Sequence, residues 1–182
     1  MKVIGVVGFP ASGKGEFSRI AAEEGVPIVV MGDVIREAVQ EEGLPVTDAN
    51  LGAVANRLRR EEGMDAIARR SLPRIRACRA PLVLVDGIRG DAEVALFRKE
   101  FPGFFLVGID APFDERLTRL SMRGREDDFS QSAKLVERDG REVGWGLGRA
   151  LSSADYTLSN AGTLEEFSRA ARTLLCRIME DP

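Results

Sequence analysis

Histidine does not occur in this chain of 182 residues, and cysteine occurs only twice, as Cys78 and Cys176. Without histidine, neither a Ser-His or Cys-His nucleophile nor a His-ligated zinc ion can be built. The two cysteines lack metal-binding spacing and imply no disulfide framework. These absences exclude several common kinds of catalytic site.

Long hydrophobic runs are also missing, since none approaches the length of about 18 residues that a membrane span needs. The apolar run 3–7 is too short for a secretory signal. A hydrophobic content of 44% excludes a disordered chain, and 182 residues suit one domain. We expect a soluble, cytoplasmic protein without a membrane partner.

Lysine is scarce, with four lysines against 22 arginines, and the net charge is −3. A net negative chain is not a general electrostatic binder of nucleic acid, so a nucleic-acid partner is not expected. Arginine holds phosphate through a planar, two-pronged fork, whereas lysine acts as a point charge. The bias fits phosphate binding, but a thermophilic or GC-rich source explains it equally well.

Apolar segments suited to strands alternate with helical patterns along the chain. The strand segments are 2–8, 27–31, 81–86, 104–110 and, more weakly, 154–159. Such alternation predicts an α/β fold with a parallel sheet. A final helix is predicted after Thr163, which forms a capping box with Glu166.

Two stretches depart from this alternation. Residues 34–80 show helical patterns broken at 43–45 and at Gly63, which predicts a helical insert. Residues 124–150 are polar, glycine-rich and charged, which predicts a mobile flap. Within it, 144–148 is interpreted as a flexible hinge, with Trp145 packing rather than stacking on a base.

A glycine-rich turn between the first strand and the first helix has the spacing of a phosphate-binding P-loop, G-x-x-x-x-G-K. Its residues are Gly8, Phe9, Pro10, Ala11, Ser12, Gly13, Lys14 and Gly15, followed by Glu16. The glycines let backbone N–H groups face phosphate oxygens, while the helix N-terminus and the lysine add positive charge. The alternative is a glycine-rich turn with a chance lysine, and the spacing does not fit a dinucleotide-binding fingerprint.

The hydroxyl that usually helps to hold magnesium after the P-loop lysine is absent, because Gly15 and Glu16 follow Lys14. Either phosphates, water and a carboxylate hold the metal, or magnesium binds weakly.

The loop resembles that of adenylate kinases, and further segments agree in the same order. Gly32-Asp33-Val34-Ile35-Arg36 is similar to the segment that opens the monophosphate-binding helices, where the arginine holds the acceptor's phosphate and the aspartate lies near metal-bound water. Asp86-Gly87-Ile88-Arg89 resembles the next strand end. The resemblance implies that Asp86 lies near magnesium and that Arg89 is a second phosphate clamp.

The resemblance continues into the region that covers the nucleotides, called the lid. Arg119 and Arg123 match the arginine pair at its start, and Arg125 to Asp128 resembles the lid's charged segment, although a solvated turn explains that segment as well. Arg119 and Arg123 also share one helical face with Arg116. The second lid arginine is either Arg138 or Arg141.

Near the C-terminus, Ala154-Asp155 and 160–163 are similar to dephospho-CoA kinases, in which the loop bearing Asn160 lies beside the ATP base. This combination of motifs resembles an archaeal family related to adenylate kinases and dephospho-CoA kinases. It implies a three-layer α/β/α P-loop domain with a five-stranded parallel sheet. The implied parts are a core of 1–33, 81–123 and 151–182, a monophosphate-binding insert of 34–80 and a lid of 124–150.

The resemblance is weakest where the acceptor's base would bind, because Met31 and Glu93 stand where adenylate kinases have Thr and Gln. An ionised glutamate accepts hydrogen bonds but donates none, which suits guanine or cytosine amino groups. AMP then need not be the preferred acceptor, although Glu93 could equally be an exposed helix residue.

The function expected is an ATP- and Mg²⁺-dependent kinase of the nucleoside-monophosphate type with a small nucleotide acceptor. Phosphoryl transfer needs positioning and charge compensation, not histidine. A dephospho-CoA-type kinase and an ATP-dependent switch or assembly factor with slow hydrolysis are the alternatives.

Overall fold

The computed structural model describes residues 1–122 and 128–180, and five strands alternate with helices there. The elements are β1 (Lys2–Val7), α1 (Lys14–Glu23), β2 (Ile28–Val30), α2 (Met31–Glu41), α3 (Asp48–Glu62), α4 (Ala66–Ala77), β3 (Leu82–Ile88), α5 (Asp91–Glu100), β4 (Phe104–Asp110), α6 (Phe113–Ser121), α7 (Asp128–Gly144), α8 (Leu147–Ser152), β5 (Tyr156–Ser159) and α9 (Leu164–Glu180). The five predicted strands are all present.

The strands form one parallel sheet in the order β2-β3-β1-β4-β5. The central strand is β1, where Gly5 lies beside Val85 of β3 on one side and Leu106 of β4 on the other. The predicted five-stranded α/β architecture is confirmed. Because the strands are parallel, all their carboxyl ends meet at one edge of the sheet, where ligands bind in such folds.

Both faces of the sheet are covered by helices, as the unbroken apolar strands predict. Val3 and Val7 point into a core shared with helices α2 to α5 and α8. Ile4 and Val6 point to the opposite core, which includes residues of α1 and α9. Each fully buried aliphatic side chain of this kind contributes roughly 1.5–3 kcal/mol, so the two cores fix the sheet firmly.

The N-terminus of α9 shows how local sequence fixes an element. The Thr163 hydroxyl accepts a hydrogen bond from the Glu166 amide at 3.2 Å, and the Glu166 carboxylate accepts one from the Thr163 amide at 2.8 Å. This reciprocal pair is the predicted capping box, and it satisfies two amides that the helix leaves without partners.

Helices α2, α3 and α4 occupy the stretch for which the sequence predicts a helical insert. Gly43 and Gly63, with φ of 70° and 104°, stand at the predicted breaks. Thr47 caps α3 by accepting the Asn50 amide. The division of the chain into core, insert and lid stays a prediction.

Two helices, α7 and α8, occupy most of the stretch 124–150 for which the sequence predicts a mobile flap, and the mobility of that stretch stays a prediction. Leu135 and Leu147 are buried, whereas β-carbons built at Gly140 and Gly144 would meet nothing within 4 Å. These two glycines therefore lie on the exposed side of α7. Gly146, at φ 97°, separates the two helices at the predicted hinge.

Within residues 1–122 and 128–180, no helix combines the length and apolar character that a membrane-crossing segment needs.

Candidate active site

The predicted P-loop lies at the carboxyl edge of the sheet, between β1 and α1. Glycine is required at two of its positions. A β-carbon at Gly8 would lie 2.5 Å from the backbone oxygen of Ile109 and equally close to the Ser12 hydroxyl. At Gly13, φ is 114°, and a β-carbon would lie 2.2 Å from the Asn160 side-chain nitrogen. The loop is therefore a tight backbone cradle that leads into a helix N-terminus, the arrangement that binds phosphate.

Lys14 folds back over this cradle. Its ammonium donates hydrogen bonds to the backbone oxygens of Gly8 at 2.6 Å and Phe9 at 2.9 Å. Burial and, to a smaller extent, the positive charge of Arg89 together lower the pKa of Lys14 from 10.5 to about 7. The negative charges of Glu142 and Asp86 oppose this effect. A phosphate group in the cradle would supply the anionic partner that favours the charged lysine.

Asn160 and Arg119 both donate hydrogen bonds to the backbone of the P-loop. The Asn160 amide donates to the backbone oxygen of Ser12 at 2.8 Å, and its own backbone oxygen accepts from Arg119 Nη2 at 2.6 Å. Arg119 also reaches the backbone oxygens of Ala11 and Ser12, at 3.5 and 3.4 Å. Both residues predicted to act on the nucleotide thus contact the P-loop directly.

Arg116, which shares a helical face with Arg119, has a different role. Arg116 is 5% exposed, and its guanidinium binds both oxygens of Asp139, at 3.0 and 2.7 Å. It also donates to the Pro10 backbone oxygen at 3.2 Å and lies over the Phe9 ring. Arg116 therefore ties the P-loop to α7.

A cavity of about 890 Å³ opens in front of the loop. Most of the predicted site residues lie on its wall: Pro10, Ala11, Gly13, Lys14, Gly15, Glu16, Arg36, Asp86, Arg89, Arg119 and Asn160, with both Arg138 and Arg141. Gly8, Phe9 and Ser12 shape the loop behind this wall. The Ser12 hydroxyl is buried without a hydrogen-bond partner among the described residues.

The two predicted phosphate clamps face this cavity from α2 and from the end of β3. Arg36 pairs with Asp33, and both side chains are about half-exposed, so the pair is weak. Asp33 itself is not on the cavity wall. Arg89 pairs with Glu142 of α7, which is 2% exposed and also accepts from Arg138 Nε at 3.3 Å.

Asp86 directly follows the buried residues 82–85 of β3, is itself half-buried, and lies on the cavity wall. Gly87 follows it with φ 101°, so the chain turns there in a conformation that favours glycine. Glu16, of the P-loop helix, lies on the same wall and pairs with Arg19. Within the described part of the chain, no group of three or more acidic, cysteine or histidine residues could hold a metal alone.

Glu93 is not at the acceptor's base. Its side chain is fully buried, and its carboxylate accepts Arg59 Nη2 at 2.8 Å and the Arg89 backbone amide at 2.7 Å. Burial raises its pKa, while Arg59 and the Arg89 amide act in the opposite direction. The prediction that Glu93 addresses a base fails on geometry, because both carboxylate oxygens already have partners and the residue is off the cavity wall. It is not an exposed helix residue either.

Arg123 and Arg125, predicted to close over the transferring phosphoryl group, lie outside the described residues, as do Glu126 and Asp127.

Arg59 is not among the site residues that the sequence predicts, and Trp145 is predicted to pack only. Arg59 lies on the cavity wall with its guanidinium 4.2 Å from the centre of the Trp145 ring, and Trp145 also borders the cavity. One signal could have found Arg59. It follows Ala55 by four positions in α3, within the stripe of that helix that is otherwise apolar and buried.

Fold and site together define a P-loop kinase-like protein, with a five-stranded parallel sheet, helices on both sides and a phosphate cradle at its carboxyl edge. The sequence profile of a family described as an AAA domain matches residues 4–138. The chain belongs to the archaeal UPF0200 family. It is 61% identical to the UPF0200 protein of Methanoculleus marisnigri, over 98% of this chain and 97% of that one. It is 57% identical to that of Methanoregula boonei over the full length of both.

Solved structures of low sequence identity share the fold. A dephospho-CoA kinase from Campylobacter jejuni has a TM-score of 0.62 at 14% identity, covering 98% of both chains. A gluconokinase from Sinorhizobium meliloti has a TM-score of 0.59 at 22% identity, covering 98% of this chain and 94% of that one. At these identities the likeness extends to the fold alone.

Proposed function

We propose that this protein is an ATP-dependent phosphotransferase that moves the γ-phosphoryl group of ATP to a phosphate oxygen of a nucleotide acceptor. The observation that carries the proposal is one cavity with two cationic walls. Lys14 and the P-loop form the donor wall, and Arg36 and Arg89 face the same space. A phosphoryl donor and a phosphate-bearing acceptor need this arrangement to meet in line.

The donor wall fits a nucleoside triphosphate. The P-loop backbone has no room for side chains at Gly8 and Gly13, and Lys14 holds its ammonium against loop carbonyls that a phosphate oxygen could replace. Mg²⁺ commonly uses one or two carboxylates together with phosphate oxygens and water. Asp86 would hold the ion, since Gly15 and Glu16 supply no hydroxyl. The ion would neutralise charge on the phosphates.

The chain's own cations would do the remaining work. The bond between the γ-phosphorus and the β–γ bridging oxygen breaks, a bond to the acceptor oxygen forms, and ADP leaves. Lys14 and Arg119 would stabilise the charge that develops on the donor phosphates, and Arg36 and Arg89, on the same cavity, would orient the acceptor. Such fixed charges act without reorganising during the reaction. The kinase names of the structural neighbours support this class of reaction.

The test is ADP formation from Mg-ATP, alone and with AMP, GMP, CMP, UMP, dCMP or dephospho-CoA. We expect one compound to stimulate the rate strongly and Arg36→Ala to lower kcat/KM for it by about a hundredfold or more. Arg74→Ala is the matched control, because Arg74 forms an exposed pair with Glu37 and is off the cavity wall.

Other outcomes would redirect the proposal. Stimulation by dephospho-CoA alone would identify an acceptor hydroxyl and a dephospho-CoA-type kinase. Slow hydrolysis that no acceptor changes, and that Arg36→Ala leaves intact, would refute a kinase and favour an ATP-dependent switch.

A further inference from the structure

One wall of the cavity, away from the P-loop, is built from two arginines around the chain's single tryptophan. The Arg59 guanidinium lies 4.2 Å from the centre of the Trp145 ring, and that of Arg141 lies 5.8 Å from it. The Trp145 Nε1 donates to Asn56 at 2.8 Å, which fixes the ring. We call Gly52, Arg59, Arg141 and Trp145 the Arg59–Arg141 subsite; all four border the cavity.

Both arginines retain unused hydrogen-bond capacity. Arg59 is 4% exposed and gives Nη2 to Glu93, but its Nη1 has no partner among the described residues. Arg141 gives Nη2 to Asp48 at 3.3 Å, and its buried Nε is likewise without a partner there. Buried donors without acceptors are costly, and two of them in one cavity wall need a common explanation.

The surroundings hold the two guanidinium groups in place without neutralising both fully. Glu93 fixes Arg59 from behind, as a fully buried counter-ion. Asp48 is 67% exposed, so solvent weakens its attraction for Arg141. A β-carbon at Gly52 would lie 2.9 Å from Arg141 Nη1, so glycine leaves the room that Arg141 needs to lie against α3.

We propose that the Arg59–Arg141 subsite binds a second phosphate group of the acceptor, separate from the one clamped by Arg36 and Arg89. Guanidinium forks and a flat aromatic ring suit a phosphate attached to a nucleoside. The acceptor is therefore a nucleotide with two phosphate-bearing positions, such as a nucleoside bisphosphate or a nucleotide with a diphosphate bridge. The proposal rests on the proposed function only in placing the acceptor in this half of the cavity.

The experiment compares binding of AMP with that of adenosine 3′,5′-bisphosphate, adenosine 2′,5′-bisphosphate and dephospho-CoA. The full chain carries Mg²⁺ and a non-hydrolysable ATP analogue, so that the donor site is filled. Calorimetry gives the affinities, and the fluorescence of Trp145 reports on the subsite itself. Inorganic diphosphate is the probe that is independent of the base.

We expect at least one of the two-phosphate compounds to bind about tenfold or more tightly than AMP, because it adds hydrogen bonds between charged groups. Diphosphate should change the Trp145 fluorescence in a saturable way. Arg141→Gln should remove both effects, and Arg59→Lys, which keeps a positive charge beside Glu93, should reduce them. Arg60→Gln, an exposed arginine of the same helix, should change neither.

The proposal is overturned if all the nucleotides bind like AMP and diphosphate leaves the fluorescence unchanged. It is also overturned if the preference persists in Arg141→Gln. Since no turnover is measured, a failure of the proposed phosphoryl transfer would appear in the ADP assay and leave this comparison readable.

Discussion

Proton uptake on ATP binding is the sharpest consequence of how Lys14 is held. In the free protein, burial and, to a smaller extent, Arg89 lower the pKa of Lys14 to about 7. Polyphosphate in the P-loop brings negative charge to the ammonium and favours its charged form. Above pH 7, ATP should therefore bind together with a proton that Lys14 takes from solution.

The size of the effect follows from that pKa. At pH 8, a lysine with a pKa of about 7 is roughly one-tenth charged, so full protonation in the complex means uptake of about 0.9 proton. Because the charged fraction falls about tenfold per pH unit, the Kd for ATP should rise about tenfold between pH 8 and pH 9.

The ligand-free protein should show the linked effect on stability. The unfolded chain binds more protons at Lys14 between pH 7 and its ordinary pKa of 10.5. The free energy of unfolding should therefore gain up to about 1.4 kcal/mol per pH unit from this group as the pH rises through that window.

Calorimetry at pH 8 in two buffers of different ionisation enthalpy measures the uptake directly. Lys14→Met should lose it, whereas Lys99→Met, which removes an exposed lysine of α5, should keep it. Zero uptake at pH 8, or a Kd that stays constant between pH 8 and pH 9, would refute the reasoning.

Three further substitutions test separate parts of the structure. Gly15→Ser should lower the Mg²⁺ concentration for half-maximal ADP formation, because it restores a hydroxyl where a β-carbon meets nothing within 4 Å; an unchanged titration would contradict this. Gly13→Ala should abolish ATP binding in calorimetry, because its β-carbon would collide with Asn160, while Gly15→Ala should bind normally. Glu93→Gln should lower the free energy of unfolding by about 3–5 kcal/mol in denaturant, against less than about 1 kcal/mol for Asp65→Asn in an exposed pair.

The features that the sequence predicts correctly are those encoded by neighbouring residues. Strand β1 is apolar on both faces, through Val3, Ile4, Val6 and Val7. Such a strand predicts a sheet that is covered on both sides. The capping box at Thr163 acts within three residues. The P-loop is equally local, since its spacing alone sets the turn between β1 and α1.

The half of the cavity that would bind the acceptor could not be predicted from the sequence, because its contacts join distant parts of the chain. Glu93 of α5 pairs with Arg59 of α3, which lies 34 positions earlier in the chain. The local sequence pattern of neither helix indicates this partner. Glu142 meets Arg89 across 53 positions. In α7, the glycines did not indicate a helix, whereas Leu135 and Glu142 are buried by contacts with other parts of the chain.

Three arginines of this cavity form ion pairs with carboxylates, and these ion pairs affect how a ligand binds. Arg36 lies on Asp33, Arg89 on Glu142 and Arg141 on Asp48. An entering phosphate therefore replaces a carboxylate as the partner of an arginine, instead of binding to an unpaired arginine. The exchange is easier at the half-exposed Asp33 and the exposed Asp48, which return to water, and harder at Glu142, which is buried. A ligand that engages the exposed pairs first would then gain enough binding energy to displace Glu142 from Arg89. The proposed acceptor with two phosphates would engage an exposed pair and Arg89 together, so that its second contact becomes intramolecular.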